Sequence, residues 1–155
     1  MNLNDEIRLY PLLSYALLKP GYILFIVLLF LFIDNDLVSL SKYRLIYCVP
    51  LLLIYAYRVI YIKTSQYLIT AEQIQYRRGI FSIEIDYIEL YRVKDFKIRK
   101  PFLLRLIFAM DVLLETSDKS HPLIQICGVK SNNLVTIIRE RVEVNRMNKR
   151  VFEVD

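Results

Sequence analysis

Few of the residues that build common catalytic, metal and phosphate sites occur in this sequence. Its three glycines, at positions 21, 79 and 128, are too scattered for a glycine-rich phosphate loop. The single histidine, His121, lies in the turn-rich stretch SDKSHPL, and a metal site needs several clustered ligands. The serine-hydrolase elbow, the HExxH zinc motif and the CxxC motif are also missing. We therefore predict that the protein is not an enzyme and holds no metal or cofactor.

The cysteines and the acidic residues add no reactive group to this picture. Cys48 falls in an apolar run and Cys127 in a strand pattern, so we predict two small buried residues and no disulfide framework. Glu84 and Asp86 alternate along a predicted strand, which is typical of a solvated face and not of an acid–base pair.

Apolar residues and positive charge are plentiful. Hydrophobic residues make up 55% of the 155-residue chain, and the net charge is +5. The apolar excess is concentrated before residue 63, as expected for membrane segments joined to an ordinary domain. A basic chain of this kind favours an anionic lipid surface as its partner. Nucleic-acid binding is not predicted, because the basic residues lack interleaved exposed aromatic residues.

Two stretches are candidate transmembrane helices, at about residues 20–40 and 45–62. The first contains GYILFIVLLFLFI, whose thirteen uncharged residues are short for a span and leave a re-entrant or interfacial helix as the alternative. The second, LIYCVPLLLIYAYRVIYI, has eighteen residues and is about 27 Å long as a helix, with a kink expected at Pro50. Five side chains are predicted to anchor the helix ends at the membrane interface: Lys19, Tyr22, Arg58, Tyr61 and Lys63.

Charge sets the predicted orientation of these helices. The loop of residues 34–44 carries Lys42 and Arg44, whereas the chain after the second helix is rich in Lys and Arg. The positive-inside rule then places both termini in the cytoplasm, in a multi-pass protein of the cell inner or plasma membrane. No small-residue cleavage site follows the first apolar run, so we expect an uncleaved anchor. Residues 1–63 form this anchor, and the segment before the first helix is expected to lie along the inner surface.

A period-two pattern of apolar residues begins at Tyr67 and predicts an antiparallel meander with one wet face. Its turns fall at Thr70–Glu72 and Arg78–Gly79. Beyond them the apolar face is predicted to carry Phe81, Ile83 and Ile85, and the wet face Ser82, Glu84 and Asp86. The stretch VKDFKIRK predicts a further strand, with Phe96 and Ile98 pointing inward.

The end of the chain has helical spacing instead. Ser131 or Asn132 is a candidate N-cap, and one apolar stripe follows it: Leu134, Ile137, Ile138 and Val142. Such a helix must bury its stripe against the sheet. We assign residues 64–148 to this domain and residues 149–155 to a C-terminal tail.

Six segments, in order along the chain, carry a family resemblance: YLIT, YRRGIF, IELYRVKDFKI, FLLRLIF, VLLET and IQICGVKSNNLVTII. Together they resemble the bacterial pleckstrin-homology-like (PH-like) domains of the membrane-bound YdbS type. The resemblance implies an α+β chain with two N-terminal transmembrane helices, followed by a PH-like antiparallel β-barrel or sandwich closed by a C-terminal amphipathic helix. It implies no catalytic residue and no fixed ligand. The chain departs from the family at Ala109–Asp111, where members often have glycine, and at Glu84 and Asp86, where they are often basic.

One basic strip stands out within residues 92–105. Its members are candidates for contact with anionic lipid: Lys94, Lys97, Arg99, Lys100 and Arg105. The last two flank Pro101–Leu104, a short apolar tip. The alternative interpretation is a solvated face of the barrel, with the tip packed inside.

Two functions fit these features. The first is a non-enzymatic membrane-anchored adaptor or scaffold, whose cytoplasmic PH-like domain binds a protein partner or self-associates at the membrane surface. The second, which the resemblance suggests, is a protective or immunity protein against membrane-active peptide bacteriocins, or an accessory to a transporter. Lys63–Gln66 forms a four-residue tether between the second helix and the domain. The anchor already gives the domain a high effective concentration at the membrane, so the tether favours a role in orienting the domain over one in recruiting it.

Overall fold

The computed structural model of the chain describes residues 6–32, 44–119, 121–131 and 133–149. The strands are β1 (Ile7–Leu9), β2 (Gln66–Ile69), β3 (Gln73–Arg78), β4 (Glu84–Glu89), β5 (Val93–Arg99), β6 (Ala109–Thr116) and β7 (Leu123–Lys130). The helices are α1 (Leu13–Leu18), α2 (Gly21–Phe32), α3 (Arg44–Thr64), α4 (Phe102–Leu106) and α5 (Leu134–Lys149). The predicted α+β class is confirmed, since two antiparallel sheets and a final helix follow the apolar helices.

β1 to β4 form one antiparallel sheet with an apolar inner face. The strands lie in the order β1-β2-β3-β4, and Ile7, Ile69, Ile74 and Ile88 lie side by side across them. The last three of these are buried. β1 comes from the N-terminal segment that the sequence indicated would lie along the membrane. The folded domain therefore takes in residues on both sides of the apolar helices.

β5, β6 and β7 form a second antiparallel sheet, and the described strands do not close into a barrel. Of the two architectures that the resemblance implied, the chain has the two-sheet one. Tyr67 bridges part of the gap between the sheets. Its hydroxyl accepts a hydrogen bond from the Cys127 amide at 3.1 Å and donates one to the Gln125 carbonyl at 3.3 Å. The Tyr67 side chain thus provides hydrogen-bond partners for one amide and one carbonyl on one edge of β7, while the other edge of β7 pairs with β6.

α5 closes the core between the sheets. Its predicted apolar stripe is confirmed at three positions, because Leu134, Ile138 and Val142 are buried in the same cluster as the inner-face isoleucines. Ile137, the fourth predicted member, is only half-buried and lies outside that cluster. Asn132, one of the two candidate caps, lies outside the described residues. Two polar residues of α5 are also buried, Arg141 and Asn145, and sequence analysis had not singled them out.

The predicted facing of β4 is wrong. Ile85 is 44% exposed on the outer face, whereas the side chain of Asp86 is only 19% exposed. The register explains this reversal, because Ile88 pairs with Ile74 in the core and alternation then places Asp86 on the same inner face. Arg78 lies 3.5 Å from Asp86 and offsets the cost of its partial burial.

The predicted facing of β5 is correct for one residue and wrong for the other. Phe96 is half-buried and packs against the core, but Ile98 is 47% exposed. Among the described strands, β5 pairs only with β6 and forms the edge of its sheet, and its register shifts between Val93 and Asp95. Ile98 therefore lies at the margin of the sheet, where few side chains cover it.

Within the described residues, α3 is the one helix long and apolar enough to cross a membrane, over Ile46–Thr64. α2 is a shorter apolar helix that packs against α3. The rest of the first predicted span, to residue 40, lies outside the described residues, as does Lys42 of the loop. The predicted tether is shorter than expected, because α3 continues through Thr64 and Ser65 alone separates it from β2.

Candidate membrane-facing surface

The basic strip lies along the edge strand β5 and continues into α4. All five of its predicted members are exposed: Lys94, Lys97, Arg99, Lys100 and Arg105. Lys97 and Arg99 are register partners of Leu113 and Asp111, so they lie on the face of the sheet opposite Phe96. Lys100 donates a 2.7 Å hydrogen bond from Nζ to Ser131 Oγ. The strip is therefore open to solvent along β5 and into α4, with exposed Asp95 between two of its members.

α4 carries the apolar tip, and most of that tip is exposed. Phe102 is 75% exposed, Leu103 is also exposed, and Leu104 alone of the three packs inside. Phe108, which follows α4 with a φ of 54°, is 76% exposed. A short helix with one buried residue per turn and several exposed apolar ones has the composition of an interfacial segment.

Leu104 connects this tip to the apolar helices. It forms a buried cluster with Tyr15 and Ala109, and Ile62 of α3 packs against that cluster. α1 is held on the same side by a 2.8 Å bond from the Leu12 amide to the Gly128 carbonyl. Gly128 has a φ of +63°, and a Cβ there would lie 2.2 Å from the Tyr15 ring. Only glycine therefore lets α1 approach β7 this closely.

The predicted interface anchors have different surroundings. Tyr22 and Arg58 are exposed on α2 and α3. Tyr61 lies 6.3 Å from Tyr57, measured between ring centroids, near the end of α3. Lys63 donates from Nζ to the Pro11 carbonyl at 3.4 Å. Lys19 instead donates to the Tyr15 hydroxyl of α1 at 2.8 Å and to Cys127 Sγ of β7 at 3.9 Å, so part of its bonding is to the sheet.

Lys19 also lines a cleft between the two sheets, which sequence reasoning missed. The cleft has a volume of about 310 Å³ and is lined on its charged side by Arg78, Asp86 and His121. His121 Nε2 lies 3.4 Å from Asp86 Oδ1, so a turn histidine faces β4 across the gap. Strand alternation alone could not reveal this contact, because it joins separate sheets.

Cys127 lines the same cleft, and its environment makes it a poor nucleophile. Burial raises the pKa of the Cys127 thiol, so the protonated form is favoured. Burial likewise raises the pKa of the Tyr67 hydroxyl, and the hydrogen bond to Glu84 raises the pKa of Arg78. Among the residues that the structure describes, no group of three or more His, Cys, Asp or Glu side chains could hold a metal ion.

No curated protein and no solved structure matches this chain. A family model, described as the bacterial PH domain, matches residues 12–151. That range begins just after β1 and includes the apolar helices, the other six strands and α5. The chain therefore belongs to the bacterial PH domain family.

Proposed function

We propose that this chain is a non-enzymatic, membrane-anchored adaptor of the YdbS type. In this proposal α2 and α3 lie in the cell membrane, and both termini lie in the cytoplasm. The PH-like domain faces the inner membrane surface and binds a protein partner or a second copy of the chain there.

The apolar surface of the helices supports the membrane part of the proposal. α3 has 21 residues and is about 31 Å long, which matches the hydrocarbon core of a bilayer. Large apolar side chains are exposed along α2 and α3, among them Phe25, Leu29, Ile46, Leu53 and Ile60. A surface of this kind is costly in water and favourable in lipid.

The attachment of the domain to α3 supports an orienting role. Ser65 is buried, and its amide bonds back to the Ile62 carbonyl at 3.2 Å. Tyr55 donates to the Leu17 carbonyl at 3.3 Å, and Lys63 reaches Pro11. Since helix, α1 and sheet are joined at several points, the domain presents one fixed face to whatever it meets at the membrane.

The observation that carries the adaptor proposal is a pair of exposed apolar side chains on the largely polar outer face of the four-stranded sheet. Ile85 and Tyr87 are exposed there, on the face opposite the core. Tyr87 pairs with Gln75 on the neighbouring strand β3, and Gln75 pairs in turn with Leu68 on β2. Exposed apolar side chains next to amide groups on a sheet face are typical of a protein-binding surface.

Extraction of the full chain in a mild detergent, followed by mass measurement of the purified particle, tests this proposal. We expect a homo-oligomer or a stoichiometric complex with one protein. Ile85→Asp should reduce it to the monomer, because the substitution replaces an apolar contact side chain with a charge that is costly to desolvate. Met147→Asp, at an exposed position on α5, is the matched control and should leave the complex intact. A monomer without partner after gentle extraction, or a complex that Ile85→Asp leaves unchanged, would contradict the proposal.

A further inference from the structure

The loop between β3 and β4 presents an apolar side chain that the core does not use. Phe81 is 92% exposed, more than any other large apolar side chain in the described part of the chain. Ile83, two residues later, is also exposed. An aromatic ring held this far into solvent, beside further apolar side chains, is typical of a contact with a partner or a membrane.

The loop has a defined shape that projects Phe81 outward. Gly79 has a φ of +109°, and a Cβ there would lie 1.8 Å from the Ser82 carbonyl oxygen. Arg78 and Glu84 hold the base of the loop together, with 2.8 Å between Nε and Oε2. The Arg78 guanidinium also lies 5.5 Å from the centre of the Tyr76 ring. The exposure of Phe81 therefore follows from the geometry of a closed turn.

The loop lies beside the last two turns of α3. Tyr57 and Tyr61 of α3 line one depression of about 290 Å³ together with Gly79, Ile80 and Phe81. Tyr57 is seven residues before the end of α3, so it lies about 10 Å along the helix from that end. Tyrosines at the end of an apolar helix mark the depth of the lipid headgroups.

We infer that Ile80 and Phe81 insert into the interfacial region of the same bilayer leaflet that α3 leaves, forming a second contact between the domain and the membrane. This inference rests on the proposed membrane location of α3. Lipid fits this site better than protein, because the loop continues the apolar surface of α3, where Tyr57 and Ile60 are exposed. Arg58 and Lys63 lie at the same end of the helix and suit anionic headgroups.

The absence of tryptophan from the chain allows a direct test. Three variants of the full chain, Phe81→Trp, Tyr61→Trp and Met147→Trp, each contain a single tryptophan. Each is reconstituted into vesicles of phosphatidylethanolamine and phosphatidylglycerol, with or without bromine on the acyl chains near the headgroup. Bromine quenches tryptophan that lies within the interface. Met147 is exposed near the end of α5, close to Asn145, which contacts Ala71 in the turn at the far end of β2.

We expect the emission of Phe81→Trp to shift to shorter wavelength in vesicles and to be quenched by brominated lipid to an extent similar to that of Tyr61→Trp. Met147→Trp should keep its emission. If Tyr61→Trp is quenched and Phe81→Trp behaves like Met147→Trp, the loop does not insert and this inference is wrong. If Tyr61→Trp is not quenched, the proposed membrane location of α3 fails as well.

Discussion

At the scale of single residues, Arg141 shows a charged side chain used for packing. Its Nη1 donates to the carbonyls of Ile69 and Thr70, both at 3.0 Å, although the residue is only 2% exposed. Asn145, one helical turn later, donates to the Ala71 carbonyl. These bonds hold α5 on the turn between β2 and β3. The sequence interpretation missed these bonds, because an arginine in an amphipathic helix ordinarily lies on the solvated face. Helical spacing alone places Arg141 on the apolar stripe, three residues after Ile138.

Arg141→Met should destabilise the domain. The substitution keeps much of the side-chain volume but leaves two backbone carbonyls without their donor, at a cost of about 2 kcal/mol. For a domain of this size that loss lowers the apparent Tm by about 10 °C. Thermal unfolding in detergent, followed by circular dichroism, measures the shift.

Arg139→Met is the matched control for this prediction. Arg139 is exposed on the same helix, and its guanidinium lies 5.9 Å from the centre of the Phe96 ring. It should change the Tm much less. Equal Tm values for the two variants would show that the buried hydrogen bonds of Arg141 make no net contribution to the stability of the domain.

At the scale of elements, the spacing of apolar residues predicts whether a segment is a helix or a strand. Helical spacing predicted the buried stripe of α5, and alternation predicted the strands of the meander. Alternation does not reveal which face is inside, so β4 was assigned the wrong way round. β1 was missed because a three-residue strand is too short for a period and pairs with β2, which lies beyond both apolar helices.

The basic strip yields an element-scale prediction. With Phe102→Trp as reporter, the full chain should show a stronger blue shift in phosphatidylglycerol vesicles than in phosphatidylcholine vesicles. The difference should shrink as salt rises, because screening acts over about 8 Å at physiological ionic strength. Changing Lys97, Arg99, Lys100 and Arg105 to Gln should abolish the lipid dependence and leave the Tm nearly unchanged. The full chain is needed because β1 and α1 contribute to the fold.

Changing Arg139 and Lys149 of α5 to Gln provides the control for the strip and should preserve the lipid dependence. An equal blue shift in both lipids at low salt would identify the strip as a solvated face. Unfolding of the quadruple variant would instead assign those side chains a structural role.

At the scale of the whole molecule, the two halves of the sequence are less separate than their compositions indicated. The change from an apolar half to a strand pattern predicted an anchor and a domain joined by a tether. The structure instead joins them through β1, the cluster around Tyr15 and the bond between Lys63 and Pro11. Local patterns could not predict these contacts, because each one joins residues far apart in sequence. We therefore propose that the domain is held in one fixed orientation against α3 and, through it, against the proposed membrane.

Electron paramagnetic resonance distance measurement in lipid nanodiscs tests this fixed orientation most directly. One spin label replaces Leu53 on α3 and the other replaces Met147 on α5, both exposed positions, with Cys48 and Cys127 changed to Ala and Ser. If the domain is fixed to the helix through α1 and Ser65, the distribution of distances between the labels should be single and narrow. A broad distribution, as a flexible tether produces, would contradict the account.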